Sequence, residues 1–189
     1  MRVGVLVSGE GTNLQALIDG VHGQAAEIVA VGSDRVDAPA LDRARAAAIP
    51  VESFPVAGYP DRAERDLAIA AWLDGQGVEL VVLAGYMALL DAGFVARYDG
   101  RIINVHPSLL PAFPGIRAIE QALDHGVKVF GVTVHMVDAG VDTGPIVLQR
   151  AVEIPGATTP EAVHAVLQPI EHQLLCETVI AFANGSPLS

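Results

Sequence analysis

The chain has 189 residues, of which 51% are hydrophobic and 17% charged, so it can bury a core and is not a disordered segment. Its formal net charge of −11 repels nucleic acids and anionic membranes, and we expect neither as a partner. The first apolar stretch, residues 3–7, is too short to span a membrane, and no targeting pattern follows it. The single cysteine, Cys176, cannot form an internal disulfide, which favours a reducing compartment and a cytoplasmic protein.

Apolar strand patterns alternate with amphipathic helix patterns, which is typical of a mostly parallel sheet with helices on both faces. Strands are predicted at residues 3–7, 28–31, 80–84, 102–105, 130–137 and 146–152. Helices are predicted at residues 13–21, 38–47, 61–75, 116–124 and 160–184. The last helix is expected to bend at Pro169. The sequence therefore predicts an α/β, three-layer, mostly parallel open sheet in one domain, 1–189, whose halves divide near residue 100.

Two segments interrupt this alternation. Residues 107–115 contain three prolines and show no helical or strand periodicity, and residues 137–145 contain glycine and two aspartates. Both follow predicted strands, and loops at the carboxyl ends of strands form the binding sites of open α/β sheets. We therefore expect functional residues in these two loops.

The loop after the first strand, Ser8-Gly9-Glu10-Gly11-Thr12-Asn13-Leu14, allows three interpretations. It could be a tight turn in which Thr12 or Asn13 is the helix N-cap. It could bind phosphate, because glycines let backbone amides approach an anion at a helix N-terminus. It could also bind a dinucleotide, with Asp34 on the ribose, although Leu14 stands where the third glycine of that motif belongs. The loop alone does not decide among them.

Polar residues at the end of the predicted strand 102–105 suggest a reaction centre. Asn104 and His106 share one side of the strand because the strand period is two, and such a pair can hold a developing oxyanion. A lone histidine at a strand end is more often structural. Asp142, in the later loop, favours the functional interpretation, because a carboxylate beside an imidazole stabilises and orients its charged form.

The sequence offers neither a metal site nor a nucleophile of its own. The six histidines are dispersed without metal-ligand spacing, and no Gly-x-Ser-x-Gly motif occurs. Ser108 is interpreted as a loop hydroxyl. The attacking group must then belong to a substrate, and the protein must supply proximity, oxyanion stabilisation and proton transfer.

Three segments resemble a known family. The run Asn104-Val105-His106-Pro107-Ser108-Leu109-Leu110-Pro111 and the later Val141-Asp142-Thr143-Gly144-Pro145 are similar to the motif of folate-dependent formyltransferases. The opening Ser8-Gly9-Glu10-Gly11-Thr12-Asn13-Leu14-Gln15 narrows the resemblance to glycinamide ribonucleotide formyltransferases of purine biosynthesis. The resemblance implies a Rossmann-like formyltransferase fold. It also implies that 10-formyltetrahydrofolate, as cosubstrate, donates a formyl group directly to the amine of glycinamide ribonucleotide, without a metal or a covalent enzyme intermediate. Both partners are small molecules, and a homodimer is considered but not decided by the sequence.

The resemblance also implies roles for individual residues. His106 would be the general acid/base, Asn104 would help to hold the formyl oxygen, and Asp142 would support His106 and relay protons through water. The ribonucleotide would contact residues of the glycine loop and of the last helix, namely Gly11, Thr12, Asn13, Gln168 and Glu171. The folate would contact Arg62, Met87, Ala88, Leu89, Leu90, Asn104, Asp138, Ala139, Gly140, Val141 and Asp142.

One residue departs from the family pattern. Ala88 stands where well-known bacterial members carry arginine, so only backbone contacts would remain at this position. Arg117 is a candidate cation for the glutamate tail of the folate.

Three other functions compete with formyl transfer. A dehydrogenase would use the glycine loop and Asp34, and a formyl-folate hydrolase would need no amine substrate. A non-catalytic nucleotide sensor would not need Asn104, His106 and Asp142 together.

Overall fold

A computed structural model describes residues 1–185 of the chain. The strands are β1 Arg2–Val7, β2 Glu27–Ser33, β3 Val51–Ser53, β4 Leu80–Leu83, β5 Ile102–His106, β6 Val129–Met136 and β7 Ile146–Glu153. The helices are α1 Thr12–Gly20, α2 Pro39–Ala46, α3 Arg62–Gly75, α4 Ala92–Arg97, α5 Ala118–Asp124 and α6 Pro160–Ala183, with a short 3₁₀ helix at Val56–Gly58.

The strands form a seven-stranded sheet in the order β3-β2-β1-β4-β5-β6-β7. The pairs β1–β2, β1–β4 and β2–β3 are parallel, and β6–β7 is antiparallel. The predicted α/β fold with a mostly parallel sheet is confirmed. Within residues 1–185, no helix is both long and apolar enough to cross a membrane.

The chain divides into two compact units, and the first is Met1–Ile103. All four residues of β4 are buried, as are the last five of β1, because strands covered on both faces form continuous apolar runs. Helix α3 begins at the N-cap Asp61, whose side chain accepts a hydrogen bond from the Glu64 amide. Its buried face includes Ile69 and Leu73, together with two charged residues that bear on the site.

The second unit begins at Asn104 and contains β6, β7, α5 and α6. Helix α6 begins after the N-cap Thr159, with Pro160 in its first turn, and is continuous through Pro169. The bend expected at Pro169 stays a prediction. Strand β7 alternates exposed and half-buried residues, as expected for the last strand of the sheet.

The predicted elements agree with the structure to within two residues at each end, and three short elements were missed. Strand β3 has three residues, the 3₁₀ helix three, and α4 six, so none provides enough repeats for a periodic pattern. Helix α4 has a usable sequence signal, because Asp91 caps it by accepting a hydrogen bond from the Gly93 amide at 2.8 Å.

Candidate active site

The glycine loop between β1 and α1 is held through its carbonyl groups. The Ala40 amide donates to the Gly9 carbonyl oxygen at 3.1 Å, and Arg43 Nε donates to the Glu10 carbonyl oxygen at 2.7 Å. The amides of Gly9, Glu10 and Gly11 donate to no residue in the described part of the chain. The carbonyl groups of the loop therefore have hydrogen-bond partners within the protein, while its N–H groups can bind a ligand. Backbone sites for anions have this arrangement.

Gly11 is required by the path of this loop. Its φ is 74°, in the left-handed region, and it is the N-cap of α1. A Cβ at this position would lie 2.5 Å from the Ala40 Cβ and 2.8 Å from the Ala40 Cα. The N-cap that one of the three alternatives assigned to Thr12 or Asn13 is Gly11 instead, and no side chain caps the helix.

The segment after β4, residues 85–91, has its own fixed conformation. Ser8, which is buried, donates its amide to the Gly85 carbonyl oxygen at 3.2 Å and accepts the Met87 amide on Oγ at 2.8 Å. Met87 and Leu89 are 69% and 54% exposed, so burial of apolar side chains does not hold the middle of the segment. The amides of residues 88–90 donate to no described residue and are available to a ligand.

A buried ion pair on α3 holds the far half of this segment. Arg65 and Asp66 are 3% and 1% exposed, with Arg65 Nη2 lying 2.7 Å from Asp66 Oδ1. Arg65 Nη2 also donates to the Leu89 carbonyl oxygen at 2.9 Å. Asp66 Oδ2 accepts the Asp91 amide at 2.5 Å. Each member of the pair thus supports a different point of the segment.

In the second unit, the Asp142 carboxylate lies against two buried histidines. Oδ2 is 3.3 Å from His106 Nδ1, and Oδ1 is 3.4 Å from His135 Nε2. Oδ2 also accepts the Gly115 amide at 2.7 Å. The backbone of Asp142 is in the left-handed region, with φ 55°, a strained conformation that is common at functional sites.

Each histidine ring uses its second nitrogen, the one away from Asp142, to bond a backbone carbonyl, and this bond decides where the ring carries a hydrogen. His106 Nε2 must donate to the Phe113 carbonyl oxygen at 2.9 Å, and His135 Nδ1 must donate to the Met136 carbonyl oxygen at 2.8 Å, since a carbonyl only accepts. A neutral ring would then turn a lone pair toward the Asp142 carboxylate. The Asp142 carboxylate therefore faces Nδ1 of His106 and Nε2 of His135, and it can accept a hydrogen bond from either nitrogen that carries a hydrogen.

Asn104 completes this cluster. Its Nδ2 lies 3.2 Å from His135 Nε2 and donates to Asp142 Oδ1 at 3.5 Å. When His135 is neutral, both Nδ2 hydrogens have acceptors within the protein. When His135 is protonated, its Nε2 becomes a donor and one Asn104 hydrogen is released for a ligand oxygen.

The ionisation of Asp142 follows from these contacts. Burial acts to raise its pKa, but the hydrogen bond from His135, the Gly115 amide and the charges of His106 and His135 outweigh burial and lower the pKa to about 2. The group is therefore a carboxylate throughout the neutral range.

The loop that carries Asp142 is braced internally. Asp138 Oδ1 accepts the Gly140 amide at 3.0 Å and the Thr143 hydroxyl at 2.7 Å. A side chain at Gly140 would collide with the Thr143 hydroxyl, so glycine is required there. Ala139 and Val141 lie in this same loop, between the carboxylates of Asp138 and Asp142.

The remaining predicted site residues lie on α6 and α3 and just before α5. Glu171 is buried in α6 and Gln168 is half-buried one turn before it, so they do not form a solvated face. Arg62 is exposed at the first residue of α3. Arg117 is exposed and lies 3.4 Å from Glu120.

Sequence reasoning missed His135 and the pair Arg65–Asp66. His135 is the next-to-last residue of one strand and His106 the last residue of another, and this similar position was a usable signal. Arg65 and Asp66 lie four residues before Ile69 and Ala70 on the buried face of α3, so helical periodicity already placed two charges in the core. Within residues 1–185, no group of three or more His, Cys, Asp or Glu side chains is placed to hold a metal ion.

The chain is similar to known proteins along almost its whole length. The family model described as formyl transferase matches residues 1–179. The chain belongs to the formyl transferase family. Phosphoribosylglycinamide formyltransferase of Mycobacterium tuberculosis is 43% identical over 184 residues, which cover 97% of this chain and 85% of that protein. The Bacillus subtilis protein of the same name is 41% identical over 174 residues, covering 91% and 89% of the two chains.

A solved structure of this family has the same fold. Glycinamide ribonucleotide transformylase 1 from Symbiobacterium toebii matches with a TM-score of 0.95 at 48% identity, covering 98% of this chain and 88% of that one. The fold and the family predicted from the sequence are both confirmed.

Proposed function

We propose that the chain transfers the formyl group of 10-formyltetrahydrofolate to the amine of glycinamide ribonucleotide, in de novo purine biosynthesis. Membership of the formyl transferase family and the names of its relatives support this activity. The observation that carries it at the level of residues is the Asp142 carboxylate, which lies 3.3 Å from His106 and 3.4 Å from His135 beside the Asn104 amide. This cluster provides proton donors, hydrogen-bond donors and a carboxylate without a nucleophile of its own.

In this proposal the substrate amine attacks the formyl carbon and forms the new C–N bond. The carbonyl electrons move to the formyl oxygen, and protonated His106 and the Asn104 amide hold the resulting oxyanion. His106 Nε2 exchanges the Phe113 carbonyl for the formyl oxygen to do so. A water molecule beside Asp142 accepts the amine proton and passes it to the folate nitrogen as the old C–N bond breaks. Formylglycinamide ribonucleotide and tetrahydrofolate are then released, and no covalent enzyme intermediate or metal is required.

The glycine loop is proposed to bind the phosphate of the ribonucleotide. A chain with a net charge of −11 must bind an anion through local donors. The amides of Gly9, Glu10 and Gly11 are such donors, at the N-terminus of α1. The backbone of Thr12 and Asn13 continues this cradle, and Gln168 and Glu171 hold the rest of the ribonucleotide.

The folate is proposed to bind against backbone groups of residues 87–90 and of the loop 138–142, with Arg62 nearby. The available amides of residues 88–90 and the exposed Met87 and Leu89 side chains support this assignment. Both polar and apolar contacts are then offered to the pterin ring, without the arginine that Ala88 replaces.

Three further statements belong to the same proposal. The two compact units act as one formyltransferase domain, supported by a family match over residues 1–179. The protein works in the cytoplasm, supported by its single cysteine. A homodimer is the oligomeric state to be tested.

The test is turnover of a 10-formylfolate analogue followed by absorbance, with and without glycinamide ribonucleotide. We expect release of the deformylated folate only when the ribonucleotide is present. Equal formate release without it would show a hydrolase and overturn the proposal. Binding of a nicotinamide cofactor by calorimetry would instead support the dehydrogenase alternative.

A further inference from the structure

We propose that Arg65 and Asp66 are positioning residues whose buried ion pair sets the backbone geometry of the folate-binding segment 87–90. This inference rests on the proposed function, because it assigns that segment to the folate. It adds two residues to the machinery that do not themselves contact the cosubstrate.

The first support is the geometry of the pair. Arg65 presents Nε and Nη2 to the same oxygen, Asp66 Oδ1, at 2.8 and 2.7 Å. These two contacts hold the guanidinium, which also donates Nη2 to the Leu89 carbonyl oxygen at 2.9 Å. The second carboxylate oxygen of Asp66 accepts the Asp91 amide at 2.5 Å. One rigid unit on α3 therefore holds the segment at two points.

The second support is the burial of the pair compared with that of the segment. The Arg65 and Asp66 side chains are 4% and 1% exposed, whereas Met87 and Leu89 are 69% and 54% exposed. A buried ion pair is weak evidence for stability, because apolar residues of similar volume often stabilise a protein equally well or better. The observed hydrogen bonds to Leu89 and Asp91 are contacts that apolar residues could not make.

The third support is the path of the chain around the segment. Ser8 fixes its start through Gly85 and Met87, and Asp66 fixes its end at Asp91, which also caps α4. The intervening amides of residues 88–90 have no acceptor among the described residues, so their direction depends on these anchors. Ala88 has no long side chain that could contact the folate. At this position the folate can be bound only through backbone groups, so the position of the backbone determines the contact.

The test compares three variants with the wild-type chain. Arg65→Lys keeps the charge but cannot bond Asp66 and Leu89 with a planar fork. The double variant Arg65→Met/Asp66→Leu removes both charges together, so the fold is expected to survive, while both hydrogen bonds to the segment are lost. Arg97→Lys is the matched control, because Arg97 on α4 pairs with Asp74 on α3 and does not hydrogen-bond to residues 87–91.

The measurements are thermal unfolding, binding of folic acid by calorimetry, and KM for each substrate. We expect Arg65→Lys and the double variant to weaken folic acid binding and raise the folate KM by at least about tenfold, with the ribonucleotide KM unchanged. The control should stay within about twofold of wild type. Folate constants unchanged in the double variant, or loss of both substrates in parallel with a fall in unfolding temperature, would overturn the positioning role. A wild-type chain that binds no folate would overturn the proposed function as well.

Discussion

Asn104 Nδ2 lies 3.2 Å from His135 Nε2. Because of this contact, the protonation state of His135 decides whether an Asn104 hydrogen is available to a ligand. His135 Nδ1 already donates to the Met136 carbonyl oxygen, so neutral His135 can only accept from Asn104. When His135 Nε2 carries a hydrogen, it donates to Asp142 and no longer accepts from Asn104. One Asn104 hydrogen is then available to a ligand. His135 therefore acts through Asn104 and Asp142.

The His135 contact predicts that His135→Leu reduces kcat by at least about tenfold, because Asn104 and Asp142 lose the group that orients them. His135→Gln retains polar atoms at this buried position and should keep more activity than His135→Leu. Thermal unfolding and the pH–rate profile should be measured for both variants, since a purely structural residue would leave the profile unchanged. Wild-type kcat and profile in His135→Leu would refute the positioning role.

Asn104→Ala and His106→Ala should each lower kcat by about 100- to 1000-fold, because each removes one donor to the oxyanion. Steady-state kinetics on purified variants provide the measurement, and circular dichroism should confirm that both are folded. A suitable control is His22→Ala, since His22 pairs with Glu27 and accepts the Ile28 amide, and neither residue belongs to the proposed site. Near-wild-type turnover in either of the first two variants is incompatible with the mechanism.

The lowered pKa of Asp142 predicts a dependence of folding stability on acid. Its pKa is about 2 in the folded protein against 3.8 for an unperturbed aspartate, so the unfolded chain binds the proton first as the pH falls. The stabilisation is present above about pH 4 and is lost toward about pH 2, and it amounts to roughly 2 kcal/mol. Urea unfolding of wild type and Asp142→Asn across this range should show a smaller acid-dependent loss in the variant. Parallel curves would show that Asp142 is not held as described.

Gly11→Ala should raise the KM for glycinamide ribonucleotide at least about tenfold, because the new methyl group would lie 2.5 Å from the Ala40 Cβ and displace the loop. Gly23→Ala is a matched control, since Gly23 has φ 71° but no heavy atom within 4 Å of the added Cβ. Both variants carry the same backbone strain of about 1 kcal/mol, so their difference isolates the close approach. Equal ribonucleotide KM values in the two variants would remove the glycine loop from the phosphate site.

Much of the fold followed from the sequence because strands buried on both faces form uninterrupted apolar runs, as β1 and β4 do. The sequence predicted that Asp142 lies beside His106, because His106 ends a strand and Asp142 lies in a loop that follows another. Such loops meet at one edge of the sheet. His135 was not predicted there, because it lies inside the strand β6 rather than in a loop, at a register irregularity between β6 and β7 that the sequence does not reveal.

The glycine N-cap of α1 and the role of Arg65 escaped for a different reason. Both depend on partners distant in sequence, Ala40 for Gly11 and Leu89 for Arg65. A local rule favours Thr12 or Asn13 as a cap, and the contact with Ala40 overrides it. Helical periodicity places Arg65 on the buried face of α3 but does not identify Leu89 as its partner.

The most direct test of the central claim uses a donor labelled with ¹³C in the formyl group. The wild-type chain should transfer the label to the amine nitrogen of glycinamide ribonucleotide, with one labelled product formed for each folate deformylated. In His106→Ala this transfer should fall by about 100-fold or more while binding of both substrates persists. Label recovered as formate, or transfer by His106→Ala at the wild-type rate, would contradict the account.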